Sequence, residues 1–418
     1  MPGDELTFIH SGDLHLGAPF RGLRALSKGW ADRLLEAIPQ AWGHVVDACV
    51  DNHVDFLLLA GDIFDTDQPS YAHYRCFVEG LERLHDHGIA VYLCAGNHDP
   101  YPSWQRSPVA LPDNARLFAS DKPEFAIHCK DGRPLALIGC RGFTTQYGDG
   151  SIADGITRAA AERACGRKAP FAVGMLHSGL WMDPRKAPVD EGVLRAAGMD
   201  YWALGHIHKQ YVDNPADPKI AYCGCIQGRD IKETGERGCL KVTLRQGMPA
   251  RIEPIPTASV EWQRIQVDVS KAGSLGDIRA ACVRTMFDSA ESACEEMVAR
   301  IELVGATDLH GVLERADVLE ELRCELNESY PDSLFCDALV DGTAAPVDKA
   351  ALAEQGMFQA TFLSVAASAR DDAQAQMERL RAEAARRHAG LPENMEKIYP
   401  ELVGRAEDLV LGLLGGEA

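Results

Sequence analysis

Phe56-Leu57-Leu58-Leu59-Ala60-Gly61-Asp62-Ile63-Phe64-Asp65 is the stretch that decides the fold. Its first half is a continuous apolar run, as expected for a strand buried on both faces. Its second half breaks into a glycine and two aspartates, so a carboxylate stands at the strand's carboxyl end, where open α/β sheets place their sites. The arrangement recurs to either side. Thr7-Phe8-Ile9-His10 leads into Asp13-Leu14-His15, and residues 90–95 lead into Gly96-Asn97-His98-Asp99. Residues 171–175 are followed by His177, and residues 201–204 run into Gly205-His206-Ile207-His208. Residues 135–140 form a further strand. Between the strands, Leu34, Leu35, Ile38, Trp42, Val45, Val46 and Cys49 fall at helical spacing, and residues 71–87 predict a second helix. Residues 220–223 and 238–244 look like plain strands with no helix between them. The expected fold is α/β, a layered α-β-β-α sandwich with a mixed second sheet.

Pro254-Ile255-Pro256-Thr257 reads as a linker. The expected division is a first domain over 1–256, a smaller α+β accessory domain over 257–342 and a helical C-terminal region over 343–418. The accessory pattern is strand 264–269, helix from 275, strand 299–304, helix 309–322 and strand 334–340, with no metal motif. In the tail, Ala373, Met377, Leu380 and Ala384 form one apolar stripe. Leu402, Ala406, Leu409 and Leu413 form another, with Val403, Val410 and Leu414 beside it.

A chain of 418 residues suggests two or three domains. No apolar run is long enough to span a bilayer, and the start, with Asp4 and Glu5 and no basic stretch, is unlike a secretory signal. Thirteen cysteines are odd in number and scattered, several within expected strands or helices, which fits reduced thiols in a cytoplasmic protein. The net charge of −20 speaks against a nucleic-acid binder. Metal-binding carboxylates inflate that acidic total, and bound divalent ions reverse the local sign.

Seven residues stand as candidate metal ligands: Asp13, His15, Asp62, Asn97, His177, His206 and His208. Two divalent ions about 3.5–4 Å apart clamp a phosphoester and share a bridging water or hydroxide, which requires one ligand common to both. Asp62 is the candidate, because the two oxygens of a carboxylate can face different ions. His206 and His208 have the spacing to serve different ions. Mixed nitrogen and oxygen donors suit manganese, with iron or zinc as alternatives, better than calcium. His98 follows Asn97 and points away from the metal, free to meet phosphate or protonate the leaving oxygen. Asp65 is placed to hydrogen-bond His98 and fix its tautomer. Cys223, Cys225 and Cys239 lack a fourth partner for a zinc site.

This ordered set resembles the calcineurin-like metallophosphoesterase superfamily. Residues 8–20, Phe-Ile-His-Ser-Gly-Asp-Leu-His-Leu-Gly-Ala-Pro-Phe, look like the opening of bacterial DNA repair exonucleases of the SbcD and YhaO type. Gly61 to Asp65 followed by Pro69-Ser70-Tyr71, and Gly205 to His208 followed by Gly228-Arg229 and Gly235 to Cys239, fit the same group. Arg300-Ile301-Glu302-Leu303 with Gly305, Leu309 and His310 resembles its accessory domain. The resemblance implies that Asp13, His15, Asp62 and His208 hold one metal. It implies that Asp62, Asn97, His177 and His206 hold the other, with His98 catalytic. In archaeal and eukaryotic relatives a histidine often replaces Asp65, and the loop Tyr222 to Ile226 departs from the usual pattern.

The motifs fix the chemistry and leave the substrate open. Arg21 and Arg24, Arg106, Arg185 and Lys186, Lys209 and Arg229 trail the metal loops; if they converge they contact phosphates, and otherwise they are solvated loop charge. With the extra domain and tail they favour DNA. The resemblance implies a DNA exo- or endonuclease subunit whose C-terminal helices dock on an SbcC-like coiled-coil ATPase, with a homodimer left open. Two alternatives stand beside it: a stand-alone phosphodiesterase or phosphatase on nucleotides or other small phosphoesters, and a catalytically weak DNA-binding subunit of such an ATPase complex.

Overall fold

Alternation along each buried strand sorts its side chains between two cores. Phe56 and Leu58 face a second sheet, whereas Leu57 and Leu59 face helices. In the same way Val173 and Met175 point inward while Ala172 and Leu176 point to the opposite outer layer. The run is apolar throughout because neither face meets water. The computed structural model describes residues 4–19, 27–118, 121–146, 151–180, 188–289, 296–329, 333–346, 356–386, 391 and 395–415.

The first sheet has six strands in the order Arg251–Pro256, Gly238–Arg245, Glu5–Ser11, Phe56–Leu59, Ala90–Cys94, Ala115–Phe118. The last four are parallel and the first two add antiparallel. The second sheet runs Tyr211–Val212, Ile220–Tyr222, Tyr201–Gly205, Phe171–His177, Arg133–Arg141, Glu124–Lys130, with parallel pairing at its centre and antiparallel strands at both edges. Helices Lys28–Asp51 and Tyr71–Asp86 cover the first sheet through Ile38, Trp42, Val45, Phe77 and Leu81. Helices Arg158–Cys165 and Glu191–Ala196 cover the second through Ala161 and Leu194. This is the α-β-β-α layering. The linker reading of Pro254 to Pro256 is corrected: these residues pair with Leu240 to Gly238 in the outermost strand, where a missing proline N–H costs no ladder bond.

The chain divides into two compact units, Met1–Gln263 with Ser292–Val298, and Arg264–Glu291 with Ala299–Ala418. A three-stranded sheet in the order Val260–Asp268, Glu296–Ala306, Leu334–Ala344 belongs to the accessory region. Helix Ala316–Ser329 packs on its last strand and on helix Leu275–Ser289. The helix expected over 309–322 is split into His310–Leu313 and Ala316–Ser329. Three helices follow, Met357–Asp371, Ala373–Arg386 and Met395–Gly415. The third turns Glu407 and Leu411 inward, with Arg370 2.9 Å from Glu407, and leaves Leu402 exposed. Of the apolar stripe expected there, Leu402 and Ala406 are exposed, and the side chains of Leu409 and Leu413 lie outside the described ones. Among the described residues no helix is long and apolar enough to cross a membrane.

Candidate metal centre

The glycines ahead of Asp62, Asn97 and His206 have a steric cause. A Cβ on Gly96 would overlap the Asp62 carboxylate, one on Gly205 the Ala60 carbonyl, and one on Gly61 the His177 ring. The strand ends must approach this closely for ligands of both sheets to meet. Asp13 (φ 48°), His15 (50°), Asp62 (50°) and His206 (93°) are four of the six non-glycine residues with positive φ among the described ones. Such conformations are unfavourable for L-residues and concentrate where geometry serves function. Backbone bonds hold the strained loops in step: Asp13 N–H donates to Gly61 O, His15 N–H to Asp62 O and Leu16 N–H to Ile63 O, at 3.0, 3.0 and 2.9 Å.

The seven residues converge as two half-sites. In the first, His15 Nε2 lies 3.1 Å from His208 Nε2, and Asp13 Oδ1 lies 3.9 and 3.6 Å from these two atoms. In the second, Asn97 Oδ1 lies 3.0 Å from both His177 Nε2 and His206 Nδ1. Asp62 Oδ2 joins them, 3.8 Å from His15 Nε2 and 3.2 Å from His177 Nε2. Asp62 Oδ2 is the oxygen near both groups, while Oδ1 accepts the His98 N–H at 2.9 Å. The donor set fits two cations. Acceptors hold the opposite nitrogens of His15, His208 and His177, namely Asp65, Glu233 and the Ala60 carbonyl, at 2.9, 2.6 and 2.9 Å. Once its remaining nitrogen is free of a proton, each ring turns a lone pair toward the other ligands, a convergence of acceptors that divalent cations satisfy.

The electrostatics agree. Burial keeps His15 below its ordinary pKa and so neutral. Burial also opposes charge on His177, but the Asp62 carboxylate outweighs it and holds His177 up to about 10. Without a cation the second half-site takes a proton instead. At Glu233 burial favours the acid form, yet hydrogen bonds from His208 and Arg229 hold the carboxyl well below the usual range.

Two expectations are corrected. The Asp65 side chain bonds His15 and not His98; His98 Nδ1–H donates instead to the Asp65 backbone carbonyl at 3.1 Å. The Asp65 carboxylate thus faces the first half-site, and its carbonyl faces His98. Arg229 is not a free phosphate contact: its guanidinium spans Asp65 and Glu233, at 3.0 and 3.1 Å. His98 itself is exposed beside His15. Arg106 and Lys209 are exposed, whereas Arg21, Arg24, Arg185 and Lys186 lie outside the described residues.

Sequence reasoning gave no role to Glu233 or Asp99. Asp99 is fully buried and accepts from Ile63 N, Phe64 N and Gly96 N at 2.9, 3.2 and 2.8 Å, tying one ligand loop to another. Its place in Gly96-Asn97-His98-Asp99 was a usable signal; Glu233 carried none. Burial pushes the Cys225 and Cys239 thiols up to about 12 and raises Cys223 well above its ordinary value, so all three are protonated thiols at neutral pH.

Residues 6–210 match the calcineurin-like phosphoesterase family. The chain carries a calcineurin-like metallophosphoesterase domain. Residues 262–344 match the middle domain of metallophosphoesterase YhaO, so the domain that follows is of the YhaO type. The chain is 38% identical over 280 residues to the uncharacterized metallophosphoesterase YhaO of Bacillus subtilis, covering 65% of each chain. It is 25% identical over 291 residues to the DNA double-strand break repair protein Mre11 of Aeropyrum pernix, covering 64% of each. The chain thus spans just under two thirds of the length of these relatives. A dimetal phosphatase from Danio rerio overlaps with a TM-score of 0.35 and 12% identity, over 60% of this chain and 99% of that one.

Proposed function

We propose that this protein is a two-metal phosphodiesterase acting on DNA, working as the nuclease subunit of a DNA repair complex. The observation that carries the chemistry is the pair of half-sites joined at Asp62 Oδ2. Asp13, His15, Asp62 and His208 would hold one divalent ion, and Asp62, Asn97, His177 and His206 the other, with manganese favoured by the mixed donors. Bound there, the ions supply positive charge that polarises a phosphoester and makes water acidic enough to attack at neutral pH. His98 supplies the rest. With Nδ1–H engaged by the Asp65 carbonyl, Nε2 is the atom left to contact phosphate or, in the protonated ring, to hand a proton to the leaving oxygen. DNA as substrate is supported by the likeness to the DNA double-strand break repair protein Mre11. The first domain (1–256) carries the chemistry, and 257–342 shapes the substrate groove. The helices of 343–418 dock on a coiled-coil ATPase in the cytoplasm.

A second reading has its own support. The net charge of −20 and the internal pairing of Arg229 both favour a small phosphoester. Manganese-dependent release of nucleotides from linear DNA, set against hydrolysis of bis-p-nitrophenyl phosphate, separates the two. Turnover of the small ester with no cleavage of linear DNA would overturn the nuclease reading.

A further inference from the structure

The two half-sites are backed differently. His177 donates its Nδ1–H to a neutral carbonyl, whereas His15 and His208 donate theirs to the Asp65 and Glu233 carboxylates. One residue holds both carboxylates. Arg229 Nη1 lies 3.0 Å from Asp65 Oδ1, Nη2 lies 3.1 Å from Glu233 Oε1, and its backbone N–H donates to Glu233 Oε2 at 2.8 Å. The side chain is 21% exposed, so the bracket is partly shielded from water.

We propose that Arg229 is a positioning residue: through Asp65 and Glu233 it fixes His15 and His208 as ligands of one ion, so that this half-site alone depends on the loop from Arg229 to Glu233. The planar guanidinium presents two N–H edges and spans two carboxylates at once, which a lysine ammonium does not do. Remove it, and Asp65 and Glu233 lose their common counter-charge, so the carboxylates that orient the two imidazoles are no longer held in place. Outer partners of this kind are worth about 10–100-fold in metal affinity. His177 and Asn97 make no contact with the bracket in any bond described above.

The inference rests on the two-ion reading, and the experiment separates them. Manganese is titrated into the full chain, wild type, Arg229→Met and Arg229→Lys, and stoichiometry is read with the electron paramagnetic resonance spectrum, which distinguishes a spin-coupled pair from an isolated ion. Wild type is expected to bind two ions. Arg229→Met is expected to keep one at wild-type affinity and to bind the second about 10–100-fold more weakly, with the isolated-ion signal in between. Arg229→Lys recovers only part of the loss. Should Arg229→Met not fold, Glu233→Gln, which leaves the Arg229–Asp65 pair in place, must weaken the same single site. Two unchanged sites, or two sites weakened equally, overturn the proposal. Fewer than two ions in wild type overturns the two-ion reading instead.

Discussion

Asp99→Asn tests whether the ligand loops are held by one buried carboxylate. The native side chain accepts three backbone N–H groups and is completely buried. Burial, and after it the neighbouring Asp62 carboxylate, raises the Asp99 pKa well above the usual carboxylate range, so the magnitude is taken from the buried N–H groups left unpaired, about 1–3 kcal/mol each. Removing all three bonds by Asp99→Ala costs about 3–9 kcal/mol on that basis, a large part of the stability of a domain. That variant is expected to unfold and teaches little. Asparagine keeps one acceptor oxygen but turns an NH₂ toward at least one N–H donor. We expect a loss of about 1–3 kcal/mol, read as a lower urea midpoint with an unchanged slope. Because Gly96 N–H is one of the three donors, the Asn97 half-site should also lose affinity, by about tenfold. A variant within about 0.5 kcal/mol of wild type, the range of an ordinary surface change, would refute the view that Asp99 ties the loops.

His98→Ala keeps the backbone N–H that meets Asp62 and removes only the exposed ring, so turnover should fall about a hundredfold or more while metal content stays unchanged. Equal loss of metal and activity in paired assays would make His98 a ligand. Because Asp62 holds the His177 pKa up to about 10, an ion entering that half-site must displace a proton below that pH. Affinity should therefore rise with pH between about 6 and 9, by up to tenfold per unit, with proton release measurable by calorimetry in buffers of different ionisation enthalpy. Deletion after Gly390 removes the helix bearing buried Glu407 and Leu411, so the second unit should melt earlier while manganese-dependent hydrolysis of a small phosphodiester survives. Loss of that hydrolysis together with the stability of the second unit would count against separate roles for the units.

The layered fold was legible because each strand is a short apolar run ended by a glycine and a polar motif. Residues 56–62 alone imply a strand buried on both faces with a carboxylate at its end. The edge strand Arg251–Pro256 was not legible, since two prolines signal a linker unless the neighbouring strand is known. Ligand types were readable from spacing, but the partners behind them were not. Whether Asp65 turns to His98 or to His15, 50 positions away, is settled by tertiary contact and leaves no mark in residue order. Glu233 meets His208 from 25 positions away through a loop without a periodic pattern. The face that the last helix buries also escaped, because Glu407 is charged and yet turned inward against Arg370.

Each half-site draws on both sheets: Asp13, His15, Asp62 and Asn97 follow strands of the first, and His177, His206 and His208 follow strands of the second. This has a consequence for the chain as it leaves the ribosome. The first four of these residues emerge early, yet neither half-site is complete until positions 206 and 208 have been made. The first sheet is itself unfinished until Gly238–Arg245 returns to pair beside Glu5–Ser11. Such distant pairing is a slow, late event in folding. A nascent chain therefore brings neither half-site together until at least its first 206 residues have been made.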